Sequence, residues 1–190
     1  MFNTFIENFL SYDLCDSLIE MGLQTELQTM KSAKIVNGKV IGDSTINLYD
    51  NKRRGSYFDG DVLKDKLFLE ITHKLINTIN QLKPFNGIEY MGVSKYTFNE
   101  YNSGDFLNWH KDSHEVMYGA TSTIIIQLND NYIGGDVLYK INNQTFTLPK
   151  RKGSIFVFDS NIEHSVSELE SGIRYSMNVW PESKIKKMLL

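Results

Sequence analysis

The strongest constraint on this chain is a change of hydrophobic period near Met91. Before it, apolar residues recur at helical spacing. Leu14, Cys15, Leu18 and Ile19 share one face of a helix that Ser11 can cap and that reaches about Met21, with Gly22 near its end. Leu63, Leu67, Ile71, Leu75, Ile79 and Leu82 form the stripe of a second helix, opened at Asp61 and closed by Pro84. Between them, 33–60 reads as short strands and turns, with Asn37-Gly38 as a hairpin signal. After Met91 the pattern is that of strands. Residues 93–98 alternate, and 121–128 carries Ile124-Ile125-Ile126, a β-branched run suited to a buried strand. Further strands are expected at 136–141, 144–148, 154–158, 164–169 and 174–180, with turn residues between them. Many short strands behind two helices make a mainly β (α+β) fold, a jelly roll buttressed by helices.

At 190 residues, and without a repeat or linker, the chain is expected to be one domain, 1–190. Its helical buttress would occupy about 1–90 and its jelly-roll core about 91–182. No run of 18 apolar residues exists, so no spanning helix is expected. The net charge of −3 disfavours a nucleic-acid partner. Cys15 stands alone, which excludes an intrachain disulfide and a cysteine zinc site, and its helical position makes it a core residue. The N-terminal MFNTFIENFL lacks a basic leader and carries Glu7, so it does not read as a signal peptide. A cytoplasmic protein is the expectation.

The chemistry concentrates in His110-Lys111-Asp112, His164, Arg174 and Trp180. In an extended segment, residues two apart point the same way, so His110 and Asp112 converge. His164 follows the polar turn Asp159-Ser160-Asn161 and opens its own strand. Two imidazoles and one carboxylate on one side of a metal leave three positions open and suit non-haem Fe(II). Arg174 follows after a turn at Ser171-Gly172 that would let its strand pair with that of His164. A buried arginine needs an internal partner, and a carboxylate cosubstrate gripped by two parallel hydrogen bonds meets that need.

In that order and spacing, the residues resemble the Fe(II)/2-oxoglutarate-dependent dioxygenases, in particular the prolyl 4-hydroxylase-like branch. The matching stretches are Tyr101-Asn-Ser-Gly-Asp-Phe-Leu-Asn-Trp-His110-Lys-Asp112, Gly134-Gly135-Asp-Val-Leu138, Gly153-Ser-Ile-Phe-Val-Phe158, Glu163-His164-Ser-Val166 and Gly172-Ile-Arg174-Tyr-Ser-Met-Asn-Val-Trp180. Asn8 to Asp16 resembles the first helix of the same branch.

The resemblance implies a double-stranded β-helix with Fe(II) on His110, Asp112 and His164. It implies that Arg174 binds the distal carboxylate of 2-oxoglutarate and that Tyr101 lines the cosubstrate pocket. Thr123 and Trp180 would be pocket walls. Gln127 stands near where many relatives place a second tyrosine. The implied activity is hydroxylation of a prolyl or similar residue in a peptide. Dioxygen would be consumed, succinate and carbon dioxide released, and ascorbate support is a family expectation. Nucleic-acid demethylases with the same iron site carry a second arginine where this chain has Trp180.

Two rival readings are a hydroxylase of a free amino acid or small metabolite, and a non-catalytic jelly roll that binds metal or ligand. A zinc site drawn from His110, Asp112 and His114 would leave His164 and Arg174 unexplained. Trp109 should face away from the ligands, into packing. The segment 51–61, with Arg53, Arg54, Tyr57 and Phe58, lies where relatives carry a mobile lid and would suit peptide contact; the plainer expectation is a solvated loop.

Overall fold

The computed structural model of the chain describes residues 2–30, 34–36, 39–41, 51–82, 88–112 and 122–185. His114, Pro84 and the Asn37-Gly38 turn lie outside these residues. In chain order the elements are β1 (Asn3–Ile6), α1 (Tyr12–Leu23), β2 (Gln28–Thr29), β3 (Lys34–Val36), β4 (Lys39–Ile41), β5 (Asn51–Lys52), β6 (Arg54–Asp59), a short 3-10 helix (Gly60–Lys64), α2 (Lys66–Leu82) and β7 (Ile88–Gly92). Then come β8 (Lys95–Tyr101), β9 (Phe106–His110), β10 (Ser122–Gln127), β11 (Ile133–Gly134), β12 (Val137–Ile141) and β13 (Gln144–Thr147). The last are β14 (Ile155–Asp159), β15 (His164–Val166), β16 (Leu169–Ser171), β17 (Arg174–Val179) and β18 (Glu182–Ile185).

The helices form for local reasons. Ser11 is extended and its Oγ accepts the Leu14 N–H at 3.3 Å, which satisfies one of the free donors of the first turn. The second helix begins at Lys66, not Asp61. Residues Gly60–Lys64 form a 3-10 turn, and the chain then resets at Asp65, whose Oδ1 accepts the Leu67 N–H at 2.8 Å. The true cap is therefore the second of two acidic residues. Ile71, Leu75 and Ile79 are buried as the stripe predicts, and Phe68 joins them in place of the half-buried Leu67. α1 lies so close to β8 that a Cβ at Gly22 would come within 2.6 Å of the Phe98 ring.

Two sheets carry the rest. A seven-stranded sheet has the order β1-β14-β10-β17-β8-β6-β2, and a five-stranded sheet the order β13-β12-β15-β9-β5. Alternation along each strand sorts its side chains between two cores. Ile124 and Ile126 of β10, Phe98 of β8 and Val157 of β14 pack with Leu18, Phe68 and Leu75 of the helices. Ile125, Tyr101, Phe156 and Phe158 turn the other way and meet Leu107, Val137 and Val166 of the five-stranded sheet. The isoleucine run is thus a strand buried on both faces, and the architecture is the expected jelly-roll sandwich with helices on one side. No helix among the described residues is long and apolar enough to cross a membrane.

Three local expectations are corrected. The strand expected at 164–169 is two strands, β15 and β16, because β16 leaves to pair with β11. The strand of Arg174 does not pair with that of His164: β17 pairs with β10 and β8, and β15 with β12 and β9, in the opposite sheet. The segment 51–61 is neither a lid nor a solvated loop. Residues 54–59 are β6, hydrogen-bonded to β8 over a register from Arg54↔Glu100 to Asp59↔Lys95, and Phe58 is in the core.

Candidate metal centre and its surroundings

The register of β9 and β15 builds the centre. His164 and His110 are Cα partners across an antiparallel pair, so their rings meet at a centroid distance of 4.1 Å. Asp112 follows β9 by two residues, as the spacing predicts. One ligand atom from each of His110, Asp112 and His164 lies within 4.8 Å of the others, a group that can hold a metal ion.

Hydrogen bonds to the backbone set the tautomers. His110 Nδ1 lies 2.8 Å from the Asn108 carbonyl and His164 Nδ1 lies 3.0 Å from the Ile162 carbonyl. A carbonyl only accepts, so each Nδ1 carries the proton and each Nε2 presents its lone pair. Both Nε2 atoms lie 3.6 Å from an Asp112 oxygen. This is the arrangement a metal-ligating histidine needs, with its second nitrogen anchored.

The electrostatics agree. Burial, then the neighbouring His164, pushes His110 from its ordinary value down to about 4, against the opposing pull of Asp112. His110 is therefore neutral at neutral pH. Burial alone would raise the Asp112 carboxyl. His164 and His110, then hydrogen bonds from Trp180 and Thr123, outweigh it and hold the group below the usual carboxylate range.

Those two hydrogen bonds revise the reading of Thr123 and Trp180. Thr123 Oγ1 donates to Asp112 Oδ2 at 2.9 Å, and Trp180 Nε1 donates to the same oxygen at 3.1 Å. Their polar atoms are turned on the carboxylate rather than on open pocket space. Both come from the seven-stranded side, Thr123 on β10 and Trp180 just after β17. They lock Asp112 across the gap between the sheets.

Arg174 lies deeper in the same interior and is 2% exposed. Its Nη1 donates to Ser176 Oγ at 2.9 Å, and its guanidinium sits 4.9 Å from the centroid of the Tyr101 ring, its cross-strand partner. Its Nε is buried with no hydrogen-bond partner. A buried cation with an unmet donor is costly unless an anion completes it. The residues fit a carboxylate at this point.

Gln127 is buried, but its carboxamide N–H groups go to the Pro149 carbonyl at 2.8 Å and Ser154 Oγ at 3.3 Å. Its Oε1 accepts from the Tyr132 hydroxyl at 3.4 Å. Tyr132, which the sequence reading missed, flanks Gly135 together with Arg174: a Cβ there would lie 3.3 Å from Arg174 Cδ and 3.5 Å from Tyr132 Cε2. It lies between two strands, where no periodicity flags it. Trp109 is not core; it is half-buried, with Lys140 Nζ 4.1 Å from its ring centroid.

Residues 96–182 match the model of the 2OG-Fe(II) oxygenase superfamily. This segment, the stretch that carries His110, Asp112, His164 and Arg174, is similar to that superfamily. It resembles a Pseudomonas putida prolyl-4-hydroxylase, with a TM-score of 0.68 at 18% identity, over 97% of this chain and 92% of that one. It resembles a Trichoplax adhaerens prolyl hydroxylase, solved with a hypoxia inducible factor peptide fragment, at 0.66 and 18% identity over 94% and 82% of the two chains. A viral collagen prolyl hydroxylase from Paramecium Bursaria Chlorella virus-1, solved with 2OG, gives 0.66 and 15% over 95% and 96%. No curated protein matches in sequence. The structural likenesses establish the fold, the double-stranded β-helix of the 2OG oxygenases. The matched family is one of oxygenases that use Fe(II) and 2-oxoglutarate, and His110, Asp112 and His164 are the metal-binding group of this chain that fits it.

Proposed function

We propose that this oxygenase hydroxylates a prolyl or similar residue in a peptide, as one domain in which the N-terminal helices brace the sheet. His110, Asp112 and His164 would hold Fe(II), and Arg174, with Tyr101 beside it, the distal carboxylate of 2-oxoglutarate. The observation that carries the reading is Arg174: a buried guanidinium with an unmet Nε, in the interior that the metal ligands share. A carboxylate gains two charge-assisted hydrogen bonds there. Peptide substrates are supported by the likeness to prolyl hydroxylases, one of them solved with a peptide.

Fe(II) with 2-oxoglutarate supplies, when bound, the oxidative decarboxylation that yields succinate and carbon dioxide and activates dioxygen. The protein's part is geometry. The Nδ1 hydrogen bonds to the backbone hold both rings in place and leave each Nε2 aimed at the shared point. Thr123 and Trp180 occupy one Asp112 oxygen and so fix the carboxylate's orientation. Phe158, edge-on to His164 at 4.9 Å, and Phe156 keep water from the inner wall.

The test is an anaerobic titration of metal-free protein with Fe(II) and 2-oxoglutarate, followed by the weak visible charge-transfer band. Succinate release with a proline-containing peptide is measured alongside. The band should require His110 for iron and Arg174 for tight 2-oxoglutarate. Absence of the band, with zinc held instead, would overturn the proposal. Turnover of free proline but not of peptide would replace its substrate.

A further inference from the structure

A second guanidinium in this interior has no assigned partner. β5 belongs to the five-stranded sheet, where Lys52 pairs with Phe106, and β6 to the seven-stranded sheet, where Arg54 pairs with Glu100. Arg53 alone spans the crossing. Arg54 is turned outward to Glu100, Tyr57 is exposed and Phe58 packs against the helices, so Arg53 is the cation of the segment that turns toward the β8 face between the sheets. Its Nε donates to Asn99 Oδ1 at 3.1 Å. Its Nη1 is buried and has no hydrogen-bond partner.

The surroundings point the same way. Thr97, Asn99 and Tyr101 alternate along one face of β8, and Tyr101 places that face in the core between the sheets. The Thr97 hydroxyl is also buried and unpartnered. With Arg174 Nε, these are the three such side-chain atoms among the described residues. Arg174 stands across from Tyr101 on β17, and Ser176 across from Asn99, so the two arginines approach the Asn99 position from the two sides of β8. Arg53 joins β5, which pairs with the His110 strand β9, to β6, which pairs with β8, so it borders the interior that the metal ligands share. One dicarboxylate cosubstrate fixed by the metal and Arg174 leaves Arg53 and Thr97 without a ligand.

We infer that Arg53, steadied by Asn99 and assisted by Thr97, binds an acceptor oxygen of the primary substrate, a carboxylate or a main-chain carbonyl. This inference rests on the dioxygenase reading above and deepens it. A carboxylate would come from a free amino acid and a carbonyl from a peptide. Buried, half-satisfied donors aimed at a substrate oxygen give specificity because an analogue lacking that oxygen leaves them unpaired.

The experiment uses the full chain loaded with Mn(II) and 2-oxoglutarate, titrated calorimetrically with L-proline and with an end-blocked oligoproline peptide. Arg53→Met should weaken the bound probe tenfold or more, and Arg53→Lys less. Mn(II) and 2-oxoglutarate should bind as in wild type. Thr97→Val, a near-isosteric change that leaves the charge in place, should weaken the same probe severalfold. Loss confined to proline identifies a carboxylate, and loss confined to the peptide a carbonyl. Unchanged probe binding in Arg53→Met overturns the inference, as does binding of neither probe by wild type. So does a loss of 2-oxoglutarate affinity in Arg53→Met, which would put Arg53 in the cosubstrate site. A wild type that binds no Mn(II) or 2-oxoglutarate overturns the dioxygenase reading, and the inference with it.

Discussion

Replacing Arg174 by methionine should make the ligand-free protein more stable and deaf to 2-oxoglutarate. The guanidinium is 2% exposed, holds one hydrogen bond to Ser176 and faces the Tyr101 ring, and leaves Nε unmet. An uncompensated buried charge costs about 3–5 kcal/mol. Against this, the variant loses a hydrogen bond worth about 1 kcal/mol and a cation–π contact worth about 1 kcal/mol. Methionine is unbranched and flexible and fills irregular space with little strain. The balance is a gain of about 1–3 kcal/mol. For a domain of this size that is an upward shift in Tm of about 2–12 °C.

The ligand response runs the other way. At a 2-oxoglutarate concentration about 100 times its Kd, the wild type should gain about 2.7 kcal/mol. Losing two charge-assisted hydrogen bonds, at about 1.5–3 kcal/mol each, should cost the variant more than 100-fold in affinity. The assay is thermal unfolding with Mn(II) present, with and without 2-oxoglutarate. Without the cosubstrate the variant should melt higher, and with it only the wild type should shift. A variant that melts lower would show that the charge is already compensated. A variant that still shifts would show that the carboxylate binds elsewhere.

Removing either hydrogen bond to Asp112, by Thr123→Val or Trp180→Phe, should lower Mn(II) affinity about 10–100-fold, measured by spin resonance; unchanged affinity would show that the carboxylate is held without them. Metal-free protein should lose stability as pH falls from about 6.5 to about 4. Over that interval the unfolded chain takes up a proton at residue 110 that the folded His110, depressed to about 4, still refuses. Asp112, also depressed, acts in the same direction, present above the ordinary carboxylate range and lost in acid. Denaturant midpoints across this interval should be flatter in His110→Gln, and equal slopes in the two proteins would refute the assignment. Burial pushes the Cys15 thiol up to about 11, so alkylation at pH 8 should require prior unfolding. Modification of the native protein at the rate of a free thiol would contradict its packing.

Local chemistry was legible in the sequence and long-range pairing was not. The Ser11 cap, the doubly buried isoleucine strand and the His110–Asp112 convergence each follow from neighbours within a few residues, and each is found. The errors arose where the chain changes sheet. Ser171-Gly172 reads locally as a hairpin turn, so β17 was expected beside the strand of His164. In a jelly roll, successive strands alternate between sheets, and β17 goes instead to β10 and β8. Segment 51–61 was misread for the same reason: β5 and β6 are adjacent in sequence but belong to different sheets.

That alternation is also what makes the site. A hairpin of β15 and β17 would put His164 and Arg174 on one surface, open on its other side to water. With the two strands in opposite sheets, both histidines enter from the five-stranded side. Arg174, Thr123 and Asn99 enter from the seven-stranded side. A ligand bound between them would be enclosed by the apolar side chains of the core between the sheets and met by charge from across the gap. The low-dielectric interior makes each of those charges count for more than it would on a surface. The feature that a sequence reads least well, which strand lies beside which, is therefore the one that brings these polar residues together in one enclosed interior.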